Sequence, residues 1–246
     1  MNRKKVEYSI FNKYYDEINV QFWEDYKIKC KDLLNEKTFR YDFAYDYGCG
    51  TGQGVNFLYE LGFKKVKGID LSKEMIKIAK KKFKNAEFFV GDMISYSGWV
   101  HGDLAICSFD AINYLTKKND WIIFFDSVSK SLKRGGVFLF DTLTEYDHKK
   151  IWPTSTRVIE KKDYVLINHG KYINELALMY YSWFIRQENN QYTKYIEIHK
   201  QKSYPVYKIR NWLEQSNFGI EKIIDAQTGN KVRIDSQRLI FKCIRL

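Results

Sequence analysis

Four glycines, Gly48, Gly50, Gly52 and Gly54, alternate with other residues in the stretch YDFAYDYGCGTGQG, positions 41–54. Asp46 precedes them within a run that reads as a buried strand. Glycines in such a turn let the backbone come close to a bound molecule. Their spacing argues against phosphate. A G-x-G-x-x-G dinucleotide turn fails because the sixth position is Gln53 counting from Gly48 and Val55 counting from Gly50. No Gly-Lys-Ser/Thr follows, as a P-loop requires. Two more acids stand at strand ends: Asp70 closes KVKGID and Asp92 follows AEFFVG. Three carboxylates without a phosphate-binding lysine suit a ligand that carries positive charge. Capping of the following helix or turn is the plainer task for Asp70 and Asp92.

A second group of residues could act on a nucleophile. CSFDAINYL brings Asp110, Asn113 and Tyr114 together after an apolar run. Tyr114 is the candidate to orient or deprotonate an incoming group, or else it packs at a helix start. In YTKYIEIHK, alternation puts Ile196 and Ile198 on one face and Glu197 and His199 on the other. With the isoleucines on a core, Glu197 and His199 form a polar pair side by side. A histidine held by a carboxylate has the basicity of a general base; a surface cross-strand pair is the alternative. The four histidines (101, 148, 169, 199) lack ligand spacing, so no metal site is expected.

These residues need a scaffold, and the sequence describes one. FAYDY, KVKGID, AEFFVGD, DLAICSF and GGVFLFD read as strands. Between them GVNFLYELGF, SKEMIKIAKKKF (with Ser72 as N-cap) and NDWIIFFDSVSKSLK read as helices. This alternation predicts an α/β fold with a doubly wound, mostly parallel sheet. Positions 152–203 carry period-two segments, expected as an antiparallel β insertion of three strands within one domain spanning 1–246. PVYKIRNWLEQSNFG is the last helix, and IEKIIDA and RLIFKCIRL are the last strands. Residues 1–40 read as two short helices forming an N-terminal lid.

The order Asp46-x-Gly48-x-Gly50-x-Gly52 resembles the first motif of class I S-adenosylmethionine-dependent methyltransferases. The resemblance runs over nearly the whole chain. Tyr15-Asp16 is similar to the family's entry motif, and LKRGGVFLFDT to its Leu-Lys-Pro-Gly-Gly strand, with Arg134 in place of proline. CSFDAINYL and the β insertion resemble a branch of small bacterial enzymes that includes aminosugar N-methyltransferases. Those enzymes carry a histidine where this chain has Tyr114. The resemblance implies a seven-stranded sheet and the cofactor S-adenosyl-L-methionine (SAM), leaving S-adenosyl-L-homocysteine (SAH). It implies that Asp70 accepts from the ribose hydroxyls, that Asp92 meets the adenine amino group, and that Leu71 and Met93 sandwich the purine. Tyr15, Cys49 and Ser108 are implied as further cofactor contacts.

The formal net charge of +11 raises the question of nucleic acid. Nine lysines between positions 64 and 84 face only Asp70 and Glu74, a pattern typical of a solvated helix face. The Asn/Asp-Pro-Pro-Tyr motif of amine-modifying nucleic-acid enzymes is absent, and Cys107 lacks the preceding proline of cytosine-modifying ones. A small-molecule acceptor is therefore the expected partner, methylated on nitrogen or oxygen, with nucleic acid disfavoured. The alternatives are an RNA or protein methyltransferase using the Lys-rich face, and a SAM-binding protein without turnover. Four cysteines without a C-x-x-C pair, no apolar leader in MNRKKVEYSIFNKYY and no membrane-length apolar run give a cytoplasmic expectation. Monomer and homodimer both stay open.

Overall fold

The computed structural model describes residues 10–35, 40–95, 101–188 and 190–246. Seven strands form the main sheet: β1 (Phe43–Tyr47), β2 (Lys65–Asp70), β3 (Glu87–Val90), β4 (Gly102–Cys107), β5 (Leu132–Leu143), β10 (Phe218–Asp225) and β11 (Arg238–Arg245). Their order is β10-β11-β5-β4-β1-β2-β3. The five strands from β5 to β3 are parallel, and β11 runs antiparallel to both β5 and β10. The chain builds outward from β1 to β3, then returns to place β4 on the other side of β1. That reversal opens a crevice at the carboxyl ends of β1 and β4, where sheets of this kind bind ligands. The glycine loop follows β1 and leads into α2 (Gln53–Glu60).

Helix α3 (Lys73–Lys82) begins as its sequence predicts, with the Ser72 side chain accepting from the Met75 amide at 3.2 Å. Helix α4 (Lys118–Ser131) and helix α5 (Val206–Gln215) cover one face of the sheet with Trp121, Phe124, Phe125 and Trp212. Strand β5 supplies Phe138 and Phe140 to the same layer, because alternate strand residues share a face. Phe140 stacks on its cross-strand neighbour Phe241 at a centroid distance of 4.8 Å. The high aromatic content thus builds core.

A second, antiparallel sheet has the order β6-β7-β8-β9. Its strands are β6 (Thr156–Glu160), β7 (Tyr164–Ile173), β8 (Leu176–Arg186) and β9 (Tyr192–Gln201). Four strands replace the expected three, because RVIEKKDYVLIN breaks at the charged residues 161–163 into β6 and β7. A second correction concerns the N-terminus. One helix, α1 (Phe11–Leu34), replaces two short ones. It contains no glycine or proline to break it, and its two halves bury against different partners. Phe11, Tyr14 and Ile18 pack with Tyr164, Leu166 and Trp183 of the second sheet. Trp23, Tyr26, Cys30, Leu33 and Leu34 pack on the main sheet. Helix α1 therefore bridges both sheets. Residues 1–9 and 36–39 of the N-terminal segment lie outside the described residues.

Candidate active site

One cavity of about 1630 Å³ runs from the glycine loop to the second sheet. At its floor, the Gly48 and Cys49 amides donate to the Ile69 carbonyl at 2.8 and 3.0 Å, tying the loop to the end of β2. Gly48 has φ +74°, and a Cβ there would come within 2.7 Å of the Ala111 Cβ. Gly50 has φ +51° and meets nothing within 4 Å in the direction a side chain would take. Its bare backbone faces the cavity, which any larger residue would partly fill.

Asp70 is the hinge of this floor. Its Oδ2 accepts from the Gly50 amide at 2.9 Å and its Oδ1 from the Ser72 amide at 2.8 Å. Burial raises its carboxyl above the usual range, and the two amides act against that shift. Leu71 stays 39% exposed beside it. Asp92 accepts from the Ile94 amide at 3.2 Å, a local turn that fixes the segment carrying Met93. Gly48, Gly50, Asp70, Leu71, Asp92, Met93 and Ser108 all line the cavity. Tyr15 reaches it from α1, where burial and then the carboxylates of Asp110, Asp70 and Asp16 push its hydroxyl well above its ordinary range. The adjacent Asp16 accepts from the Thr51 hydroxyl at 2.6 Å and pairs with Lys82, anchoring α1 to the glycine loop.

Asp46, Cys49 and Gly52 do not line the cavity and stand behind the loop. Asp46 is 2% exposed, its Oδ2 lies 2.3 Å from where a Gly54 Cβ would sit, and it accepts from the Val55 amide. Burial, followed by repulsion from Asp70, pushes its carboxyl up to about 8. Cys49 packs under Gly68, and Gly52 sits against Phe83. These three shape the loop rather than face the cavity. A strand points successive side chains to opposite sides, and the turn after it buries those that do not meet solvent.

The opposite end of the cavity is built by the turn after β4. Phe109 and Asp110 both adopt left-handed backbone, at φ +60° and +51°, an unusual conformation for residues with side chains. The buried carboxylate of Asp141, at the end of β5, holds them there. Its Oδ1 accepts from the Phe109 amide at 2.6 Å and its Oδ2 from the Asp110 amide at 2.9 Å. Arg238 then bridges Asp141 and Asp110, and Gln201 of β9 donates to Asp110. Gln201 Oε1 lies 3.2 Å from His148 Nε2, and His148 Nδ1 lies 2.9 Å from the Ser203 hydroxyl. Asn113 is fully buried and bonds to Leu143 and Lys202, so it splices the turn to β5 and β9.

Tyr114 ends a 3-10 turn, Ala111–Tyr114, and its hydroxyl lies 2.8 Å from His199 Nδ1. The paired reading of Glu197 and His199 needs correction on two counts. Ile196 and Ile198 are 57% and 47% exposed, whereas Glu197 and His199 are buried. The polar residues face inward because the main domain presents polar partners to them. Glu197 accepts from the Ile10 and Phe11 amides at 2.8 and 3.1 Å and from the Trp183 indole at 3.0 Å. It thus caps the N-terminus of α1 from the other sheet. His199 meets the Tyr114 hydroxyl, and burial lowers its imidazole to about 4, far from the basicity expected of a carboxylate-held base.

Sequence reasoning missed Asp141, Arg238, Gln201 and Asp147. Asp141 carried a signal, an acid at the end of a buried strand like those at Asp46 and Asp70. Arg238 and Gln201 carried none, since their partners lie 97 to 128 and 53 to 91 positions away. Among the described residues no group of three His, Cys, Asp or Glu side chains is placed to hold a metal, and no helix is long and apolar enough to cross a membrane.

A glycine cradle open to the cavity, with acids at the ends of β2 and β3, is the arrangement expected of the class I methyltransferase fold. Residues 44–136 match the methyltransferase domain family. Over 202 residues the chain is 31% identical to YqeM of Bacillus subtilis, a protein itself named only provisionally as a methyltransferase. That match covers 80% of this chain and 81% of YqeM. The chain belongs to the methyltransferases. The fold is shared with a SAM-dependent methyltransferase from Clostridium acetobutylicum (TM-score 0.86, 24% identity, 97% of this chain and 98% of that one). It is also shared with the SAM-bound amino pentose methyltransferase CalS10 from Micromonospora echinaspora (TM-score 0.78, 15% identity, 100% of each chain).

Proposed function

We propose that this methyltransferase acts on a small-molecule acceptor held between the glycine loop and the second sheet, and that the acceptor atom is an amine nitrogen. The carrying observation is the Tyr114–His199 pair, 2.8 Å apart, in the cavity that also contains Gly50 and Asp70. A volume of about 1630 Å³ has room for the cofactor and a second small molecule. Bound SAM supplies an already activated sulfonium methyl, so the chain's own residues have to bind, align and exclude water.

In this reading Gly48, Gly50 and Asp70 hold the cofactor, with Asp92, Leu71 and Met93 around its base. Tyr15 and α1 close over it as the lid, and residues 152–203 roof the acceptor side. The Tyr114 hydroxyl pairs with His199 Nδ1 and offers its oxygen to the acceptor's N–H. With an imidazole at about 4, protonating His199 at neutral pH costs on the order of 4 kcal/mol. The pair therefore orients better than it deprotonates. A neutral amine attacks through its own lone pair and releases its proton to water afterwards, whereas a hydroxyl needs a stronger base.

The test is calorimetric titration with SAM, SAH and NADH, followed by an acceptor screen read as SAH formation. Binding of both sulfur nucleosides without NADH, and turnover on amines, is the expected result. Turnover confined to RNA or protein substrates would overturn the small-molecule reading.

A further inference from the structure

We propose that Asp147 is an acceptor-binding residue, its carboxyl taking a positively charged hydrogen-bond donor on the molecule that Tyr114 orients. This rests on the small-molecule reading above and names the contact that would select the acceptor.

Asp147 follows β5 at the start of a short π-helical turn, Asp147–Ile151, and lines the cavity. Only 4% of it is exposed, yet its Oδ2 accepts no hydrogen bond among the described residues. Buried carboxylate oxygens are normally satisfied, so an orphan of this kind calls for a partner from outside the chain. Its backbone is fixed: the Asp147 amide donates to the Thr144 hydroxyl at 3.1 Å, and the His148 amide to the Thr144 carbonyl at 3.1 Å. The Trp152 indole stabilises the charged carboxyl, and Trp152 itself is fixed against Gly170, where a Cβ would approach it to 2.7 Å.

The neighbouring charges favour a cation. Arg238 is the guanidinium whose field reaches Asp147, and it already bridges Asp110 and Asp141. Three carboxylates thus share one guanidinium at the inner end of the cavity, in a chain whose formal charge is +11. Burial, eased by Arg238 and reinforced by Asp110, holds the Asp147 carboxyl up to about 7. A bound ammonium group, distinct from the neutral nitrogen that attacks, would restore its ionised form.

The experiment compares the wild type with Asp147→Asn, both saturated with SAH, by calorimetry. The probes are a hexosamine, a linear polyamine and an arylalkylamine, each beside the alcohol of the same skeleton. The expected result is that an amine binds the wild type about tenfold or more tightly than its alcohol, and that Asp147→Asn loses this preference. SAH affinity stays within about twofold between the two proteins, since Asp70 and the glycine loop are untouched. The wild type and Asp147→Asn binding amines alike, alcohols matching amines, or no amine binding would each overturn the proposal. Failure of SAH to bind the wild type would instead remove the underlying site reading. Thermal unfolding adds a readout without ligand. Relieving an unsatisfied buried charge should leave the midpoint of Asp147→Asn unchanged or higher. A clear fall would make the carboxyl a structural group and overturn the proposal.

Discussion

The Tyr114 hydroxyl lies 2.8 Å from Nδ1 of His199, a contact across 85 positions of sequence that joins the main sheet's β4 turn to the second sheet. If this pair aligns the acceptor, Tyr114→Phe should lower kcat by about tenfold to a hundredfold and leave SAM affinity within about twofold. Single-turnover methyl transfer beside SAM titration checks this. An unchanged kcat would move the acceptor away from Tyr114.

Asp70 holds the Gly50 amide and faces the cavity, so its loss should damage the cofactor site twice. Asp70→Ala should weaken SAM binding by about tenfold or more, with Asp70→Asn between it and the wild type. Titration calorimetry measures both. Equal affinity across the three proteins would contradict the assignment.

At Gly48, φ +74° and a neighbour at 2.7 Å from the Cβ position act together. Gly48→Ala should lose on the order of 2 kcal/mol of stability and displace Ala111 and the turn that carries Tyr114. Gly135→Ala is the control, with φ +77° and open space around it. It should lose stability while keeping SAM affinity. Urea unfolding and SAM titration of both variants separate strain from site damage.

Glu197 binds two amides at the start of α1 and the Trp183 indole. Glu197→Ala should cost about 2–3 kcal/mol and expose α1 to proteolysis. Limited digestion with mass mapping would reveal cleavage near Phe11–Ile18. Resistance equal to the wild type would mean that the helix is held elsewhere.

The imidazole of His199 is held at about 4 by burial, against an ordinary 6.5. As pH falls from 6.5, the unfolded chain binds this proton first, so the stability that neutral His199 contributes is present above 6.5 and lost towards 4. Asp46, raised to about 8, acts in the opposite direction over the same range, as its proton-bound form favours the fold. The clean observable is therefore a difference. The gap in unfolding free energy between the wild type and His199→Gln should shift by about 2 kcal/mol between pH 7 and pH 5, against the wild type. A constant gap would show that His199 charges freely in the folded state.

Local pattern was enough to reveal the main sheet, the glycine loop, and Asp70 and Asp92 at strand ends. Each of these depends on neighbours a few residues away: strand alternation, a Ser72 cap, an acid closing an apolar run. The second sheet's strands were legible by the same alternation, apart from the break at residues 161–163. What alternation could not supply was which side of β9 faces inward. The sequence places Glu197 and His199 opposite Ile196 and Ile198, but hydrophobicity alone buries the isoleucines. Only the assembled molecule, with amides of α1 awaiting a cap and Tyr114 awaiting a partner, makes the polar face the buried one. The same holds for Arg238, which joins Asp110 and Asp141 only after the antiparallel pairing of β11 with β5 brings distant residues together. Periodicity encodes elements because it is local; polar networks at a site are set by contacts between elements, and tertiary packing decides them.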